Sequence, residues 1–107
     1  MFYISLRFEI VTFPFMAILL KVNWIDRASD EQDLIKAIGG SSGELQWSHT
    51  EEQAIQSIEH RTFEYYIEQA GQSLRLEVGL ADDGHKFLKT QADRDIPQHL
   101  LKLPSRT

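Results

Sequence analysis

The segment from Phe63 to Leu80 constrains the fold of this chain more than any other part of the sequence. Apolar and polar side chains alternate on both sides of an Ala70-Gly71 pair. A period of two places every second residue on the same face of a β-strand, so the pattern predicts a hairpin with one dry face. The residues predicted to share that face are Phe63, Tyr65, Ile67, Leu74, Leu76, Val78 and Leu80.

Two registers of this hairpin bring the apolar faces together. A two-residue loop at Ala70-Gly71 sets Glu64 opposite Glu77, which is unfavourable because like charges repel across a strand pair. A loop that is two residues longer sets Glu68 opposite Arg75 instead. We therefore predict the four-residue loop.

A helix is predicted directly before the hairpin. Thr50 and Gln53 have the spacing of a capping box, in which each residue caps the other's backbone. Ala54, Ile55 and Ile58 follow at helical spacing and form an apolar stripe. This helix is expected to cover the dry face of the hairpin.

Three further strands are predicted around these elements. Residues 17–25 and 85–90 have a strand pattern, and the apolar run at 34–38 is interpreted as a strand, with a helical turn as the alternative. The Gly39–Gly43 segment that follows is predicted to be a flexible turn. Trp47 is expected to fold over the first turn of the helix.

The C-terminal segment is predicted to close the core. Asp95 and Gln98 resemble a second capping box, and Pro97 suits a first helical turn. Three leucines would then dock on the sheet: Leu100, Leu101 and Leu103.

These elements predict a single α+β domain spanning residues 16–107. An antiparallel sheet of four or five strands packs on one main helix, in the order β-β-α-β-β-β, with a short C-terminal helical turn. Residues 1–15 form either an extra N-terminal strand or an extension outside the domain. The predicted core comprises Leu20, Val22, Trp24, Ile38, Trp47, Ile55, Ile58, Phe63, Tyr65, Ile67, Leu76, Val78, Leu88 and Leu101.

Composition excludes several classes of function. The 107 residues include no cysteine, which rules out disulfides, thiolate catalysis and cysteine-ligated zinc. The net charge of −5 disfavours nucleic-acid binding, which needs a basic face. Arg7 and Glu9 interrupt the apolar N-terminal run, so neither a signal peptide nor a membrane span is expected. A cytoplasmic location is the simplest interpretation.

No cofactor or metal site is predicted. The four histidines do not have the spacing of convergent zinc ligands, and they are interpreted as exposed turn residues. Ser41 and Ser42 lack both a nucleophile-elbow motif and an adjacent base. The glycine-rich segment beside them lacks the lysine of a phosphate-binding loop.

Two groups of residues are candidates for binding. The first is a polar patch near the C-terminus, expected either to be a solvated face or to contact an acidic ligand or a partner's carboxylate. Its members are Lys86, Lys89, Asp93, Arg94, His99 and Lys102. The second is Tyr66 beside Arg75 on the outer face of the hairpin, a pair typical of protein interfaces.

The chain resembles the domain-of-unknown-function 3892 family of small bacterial proteins over about residues 17–105. The resemblance is carried by Trp47, by GHKFLKT at 84–90 with Ala92-Asp93, and by Pro97 with LLKLP at 100–104. Arg94 stands where the family pattern has glycine, and His99 where it has asparagine. Ser105-Arg106 replaces a terminal Glu-Cys. The resemblance implies a fold and no particular activity.

The leading functional hypothesis is a non-enzymatic protein-interaction module, with a homodimer as one form of it. An exposed sheet edge and the Tyr66–Arg75 pair both favour contact with another chain. The alternative is a ligand-binding or enzymatic domain that uses the polar patch around Lys86, Lys89, Asp93, Arg94 and His99.

Overall fold

A computed structural model describes residues 18–27 and 35–105 of the chain. The predicted N-terminal strand or extension at residues 1–15 lies outside these ranges. No helix within them is long and apolar enough to cross a membrane. The elements in chain order are β1 (Ile18–Lys21), β2 (Trp24–Asp26), β3 (Ala37–Ser42), β4 (Leu45–Thr50), α1 (Glu51–Glu59), β5 (Phe63–Gln69), β6 (Gln72–Leu80), β7 (Lys86–Thr90) and α2 (Gln98–Leu101).

The predicted α+β class, with one main helix and a short C-terminal helix, is confirmed. The strands, however, divide between two sheets, with orders β1-β5-β6-β7 and β2-β3-β4, and β1 runs parallel to β5. The strand predicted at 17–25 is split because its backbone changes partner. The N–H of Val22 donates to Tyr66 in the larger sheet, and the N–H of Asn23 donates to Gly39 in the smaller one, each at 2.8 Å.

The prediction of a flexible turn at Gly39–Gly43 was wrong for its first four residues. Residues 39–42 belong to β3, and the turn is confined to Gly43 and Glu44. A Cβ at Gly39 would lie 2.0 Å from the Trp24 ring, and one at Gly40 would lie 2.4 Å from the Lys21 carbonyl oxygen. These two glycines are therefore packing positions, where the backbone of β3 approaches its neighbours closely.

Replacing Gly40 with alanine should destabilise the fold by about 3 kcal/mol or more, because the new methyl group collides with backbone that cannot move independently. Urea denaturation would measure the loss. The exposed neighbour Ser41→Ala is the matched control and should change stability by less than about 0.5 kcal/mol. Equal stability of the two variants would show that β3 does not approach β1 this closely.

The four-residue loop predicted for the β5–β6 hairpin was also wrong. Gln69 pairs with Gln72, so the loop is the two residues Ala70 and Gly71, with φ of 51° and 78°. Positive φ at both positions matches a type I′ turn, whose twist suits a hairpin. The expected repulsion between Glu64 and Glu77 is offset because Glu64 pairs with Arg75 and Glu77 pairs with Lys89.

Ala70→Asn should stabilise the protein by about 0.5–1 kcal/mol, because asparagine tolerates the left-handed region better than alanine and Asn-Gly favours the type I′ turn. Thermal unfolding would show a raised Tm. Ala70→Val should lower the Tm, since a β-branched residue is strained at positive φ. A lowered Tm for the asparagine variant would contradict the observed turn.

Helix α1 forms as predicted, with the complete capping box of Thr50 and Gln53. It ends in a Schellman arrangement: Thr62 N–H donates to Ser57 at 2.9 Å, and Arg61 occupies the left-handed position with φ of 59°. Ala54 and Ile55 are the buried residues of α1. The helix thus covers the inner face of the larger sheet.

The predicted core is largely confirmed. Seven of its members are buried, namely Val22, Ile38, Ile55, Tyr65, Ile67, Leu76 and Leu88. Ile25, Ile35, Ala54, Leu74 and Leu100 are buried although the core prediction omitted them. Leu80 was wrongly assigned to the dry face: it is 69% exposed, at the end of β6 where it pairs with Lys86. Trp24 lies over Gly39 and is not part of the core cluster.

The C-terminal segment closes the core, as predicted. Leu100 is fully buried, and the Pro104 carbonyl accepts a 3.0 Å hydrogen bond from Ile25 N–H at the outer edge of β2. The predicted Asp95–Gln98 capping box is absent, because Pro97 is itself the N-cap residue and no side chain caps α2. The short helix is instead tied to the hairpin by Gln69 Nε2, which donates to the His99 carbonyl at 2.6 Å.

Candidate functional site

The carboxylate of Asp93 connects the end of β7 to α2. Its side chain is only 1% exposed, and it accepts four hydrogen bonds. Oδ2 accepts from the backbone N–H and the hydroxyl of Thr90, both at 3.0 Å. Oδ1 accepts from the backbone N–H of His99 at 3.3 Å and from its Nδ1 at 2.5 Å.

This arrangement keeps Asp93 ionised and orients His99. Burial by itself raises the pKa of the Asp93 carboxyl, but the hydrogen bonds from His99 and Thr90 outweigh it, so the pKa falls below 3.8. Because an ionised carboxylate only accepts, Nδ1 of His99 carries the proton. An aspartate–histidine pair of this kind also occurs in hydrolases, where it orients a general base.

The same pair also has a purely structural explanation. The resemblance to the family implies an asparagine in place of His99, and an asparagine amide could donate the same hydrogen bond to Asp93. An amide has no basic nitrogen, so the shared chemistry at this position is hydrogen-bond donation and not proton abstraction. This explanation assigns the Asp93–His99 contact to the anchoring of α2.

The structure brings together only part of the predicted polar patch. Lys89 Nζ donates to Glu77 at 2.6 Å and to the Asp93 carbonyl at 3.0 Å, which joins it to the Asp93 cluster. Lys86 turns to the other side and pairs with Glu59 of α1 at 2.6 Å. The side chains of Arg94 and Lys102 are exposed and form no ion pair within the described part of the chain.

Asp93→Asn should destabilise the protein by about 3 kcal/mol at pH 7, because a neutral amide accepts fewer of the four hydrogen bonds and places its own N–H groups against donors. The wild-type contribution is present above pH 3.8, the ordinary value, and is lost as the pH falls through the lower folded-state pKa. Urea titrations at pH 7 and pH 3 would therefore show a smaller stability difference between the two proteins at pH 3. A constant difference would contradict this assignment.

Tyr66 and Arg75 lie directly opposite each other on β5 and β6. They border a shallow depression on the outer face of the larger sheet, lined also by Leu19, Glu68, Ser73 and Gln91. The charged groups here are already paired, Glu68 with Lys21 at 2.9 Å and Arg75 with Glu64. The predicted pair is thus assembled, on a surface whose charges are balanced internally.

An aromatic cluster around His49 was missed by the sequence analysis. The prediction that His49 is an exposed turn residue was wrong. His49 lies on β4, and its ring lies between Trp47, Phe63 and Tyr65. Its Nδ1 lies 2.8 Å from the Tyr65 hydroxyl, and burial lowers its pKa below 6.5. The alternation of Leu45, Trp47 and His49 was a strand signal that could have revealed it.

This cluster does not form a metal centre. His49 and His60 border one polar depression, together with Gln53, Gln56, Ser57 and Thr62. Within residues 18–27 and 35–105, no group of three or more His, Cys, Asp or Glu side chains is placed to hold a metal ion. The side chains that line this depression are hydrogen-bonding groups, and none of them is a carboxylate.

The sheet edges differ in how their backbone groups are occupied. On β7, the N–H groups of Leu88 and Thr90 donate to the carboxylates of Glu51 and Asp93 at 3.1 and 3.0 Å. On β2, the edge N–H of Ile25 donates to the C-terminal segment. Carboxylates and covering segments are devices that stop an edge from pairing with another chain.

The outer edge of β4 has neither device. Gly39 and Ser41 of β3 face β2, since the Gly39 carbonyl accepts from Asn23 and the Ser41 N–H donates to the Asn23 side chain. Their partners in the antiparallel pair, Ser48 and Gln46, therefore point away from β3. Within the described residues, nothing accepts a hydrogen bond from either of these two N–H groups.

These features define a small α+β domain in which two sheets share one main helix and the outer edge of β4 is open. A family model described as protein of unknown function (DUF3892) matches residues 20–104, so the chain belongs to that family. Comparison with curated proteins finds no match, and comparison with solved structures finds none either.

Proposed function

We propose that this chain is a non-enzymatic protein-interaction module that binds an extended segment of another chain along the free edge of β4. The single observation that carries the proposal is the open backbone at Gln46 and Ser48. Each of these residues offers an outward N–H and carbonyl to an added strand, which is how β-augmentation gains affinity.

The composition of β4 supports this use of its edge. The sequence LQWSHT contains no charged residue and no proline, and the strand runs for six residues in regular pairing with β3. Edges that must not pair are usually short, charged or bulged. Leu45, the first residue of β4, is 74% exposed and offers an apolar side chain to a bound segment.

The alternative of a ligand-binding or enzymatic site at the polar patch has one favourable observation, the Asp93–His99 pair. Against it, the carboxylate, Lys89 and Lys86 all have partners inside the chain. A general base also needs a substrate or nucleophile within hydrogen-bond reach, and the described side chains supply no nucleophile bonded to His99. Interaction through the β4 edge is therefore the better supported function.

Proline at position 48 provides a direct test. Ser48 contributes no N–H to the pairing with β3, so Ser48→Pro removes only the outward donor and is tolerated at an edge strand. Ser48→Ala is the matched control that keeps the backbone N–H. The wild-type chain and the alanine variant should capture the same proteins from the native cell. The amount captured by the proline variant should be at least tenfold lower.

A second measurement ties captured proteins to this edge. Hydrogen exchange at the amides of Gln46 and Ser48 should slow when a captured partner is bound, because each N–H gains an acceptor. Identical capture by all three proteins, with unchanged exchange at both amides, would overturn the proposed function.

A further inference from the structure

We propose that the partner on this edge is a second copy of the same chain, paired antiparallel through β4 about a two-fold axis at Trp47. The inference rests on the proposed function and names its partner. It follows from the hydrogen-bonding pattern of β4, which is complementary to itself in one register.

The register is determined by which backbone groups are free. In an antiparallel pair, two residues exchange both of their hydrogen bonds only when both face the partner strand. Gln46 and Ser48 face outward, so a two-fold axis at Trp47 sets Gln46 opposite the partner's Ser48 and Ser48 opposite the partner's Gln46. Four N–H···O bonds result, and each uses a group without an acceptor within the described chain.

The neighbouring symmetric registers are poorer. A shift in one direction requires the N–H of Thr50, which already donates to Gln53 Oε1 at 2.9 Å in the capping box of α1. A shift in the other direction requires Glu44, which lies in the β3–β4 turn and not in a strand. Only the register centred on Trp47 leaves both the cap and the turn undisturbed.

The side chains of β4 are compatible with self-pairing. A strand that meets its own copy places each charge near its equivalent, and β4 carries no charge to repel. In the proposed register Leu45 lies opposite the partner's His49. Leu45 is 74% exposed in the single chain, and this contact would bury part of its side chain.

The expected dimer is weak. A single six-residue strand pair buries less than the roughly 1,200 Å² at the low end of stable interfaces. Association should therefore be concentration-dependent, with a dissociation constant in the micromolar range or above, about 10 µM to 1 mM.

Sedimentation equilibrium of the full chain from about 10 µM to 1 mM would test the dimer. The wild type and Ser48→Ala should show a rising weight-average mass, and Ser48→Pro should stay monomeric with unchanged far-UV circular dichroism. If the proline variant fails to fold, Gln46→Lys/Ser48→Lys answers the same question, because the new lysines face each other across the axis. A wild type that stays monomeric, or a dimer that neither variant weakens, would overturn the inference.

Cross-linking tests the register. The native chain has no cysteine, so Gln46→Cys/Ser48→Cys introduces the only two thiols. Across the proposed axis, the thiol at position 46 of one copy faces the thiol at position 48 of the other copy, at a spacing that a disulfide can bridge. The double variant should oxidise to a covalent dimer at least tenfold faster than either single variant, and equal rates would reject this register.

The outcomes separate this inference from the proposed function. A monomeric wild type whose capture of other proteins still depends on position 48 would leave the edge as an interaction site and reject the homodimer. A monomeric wild type with no such dependence would reject both. A dimer abolished by Ser48→Pro supports both, with the second copy as the partner.

Discussion

The architecture depends on the close approach of β3 to the backbone that joins β1 and β2. At Gly40 the Lys21 carbonyl lies where a side chain would start, and at Gly39 the Trp24 ring fills that space. Without side chains at these two positions, the smaller sheet can lie against the larger one, and Val22 and Asn23 can bond to different sheets. The two glycines therefore permit the close packing on which the division into two sheets depends.

Two carboxylates both anchor the helices and occupy the outer edge of β7. Glu51, at the start of α1, and Asp93, before α2, each accept a backbone N–H from β7. The same groups therefore anchor the helices and occupy a sheet edge that would otherwise attract another strand. The β4 edge lies in the same domain without such protection. This contrast between the edges of β7 and β4 is the reason for placing the proposed interaction surface on β4.

Sequence patterns predicted the elements whose signals are local. The capping box of Thr50 and the inward row of Tyr65 and Ile67 depend on residues close in sequence, and both are observed. The role of Gly39-Gly40 could not be predicted in the same way, because it is defined by residues that are distant along the chain. The hairpin register was predicted wrongly because repulsion between Glu64 and Glu77 disfavoured the two-residue loop. In the structure each of these glutamates pairs with its own cation, so the turn geometry decides the register. For the candidate site, Lys89, Asp93 and His99 do converge. The β4 edge was not predicted, because residues 45–50 were not among the predicted strands.

The hydrogen bond between Ile25 and Pro104 joins residues near opposite ends of the described chain. During synthesis the Ile25 N–H therefore cannot form this hydrogen bond until residue 104 has left the ribosome. Over that interval the edge of β2 is uncovered by the C-terminal segment, in addition to the outer edge of β4, and an uncovered strand edge can pair with another chain. The segment after α2 therefore covers the edge of β2 late in synthesis, whereas none of the described residues covers the outward backbone of Gln46 and Ser48 on β4.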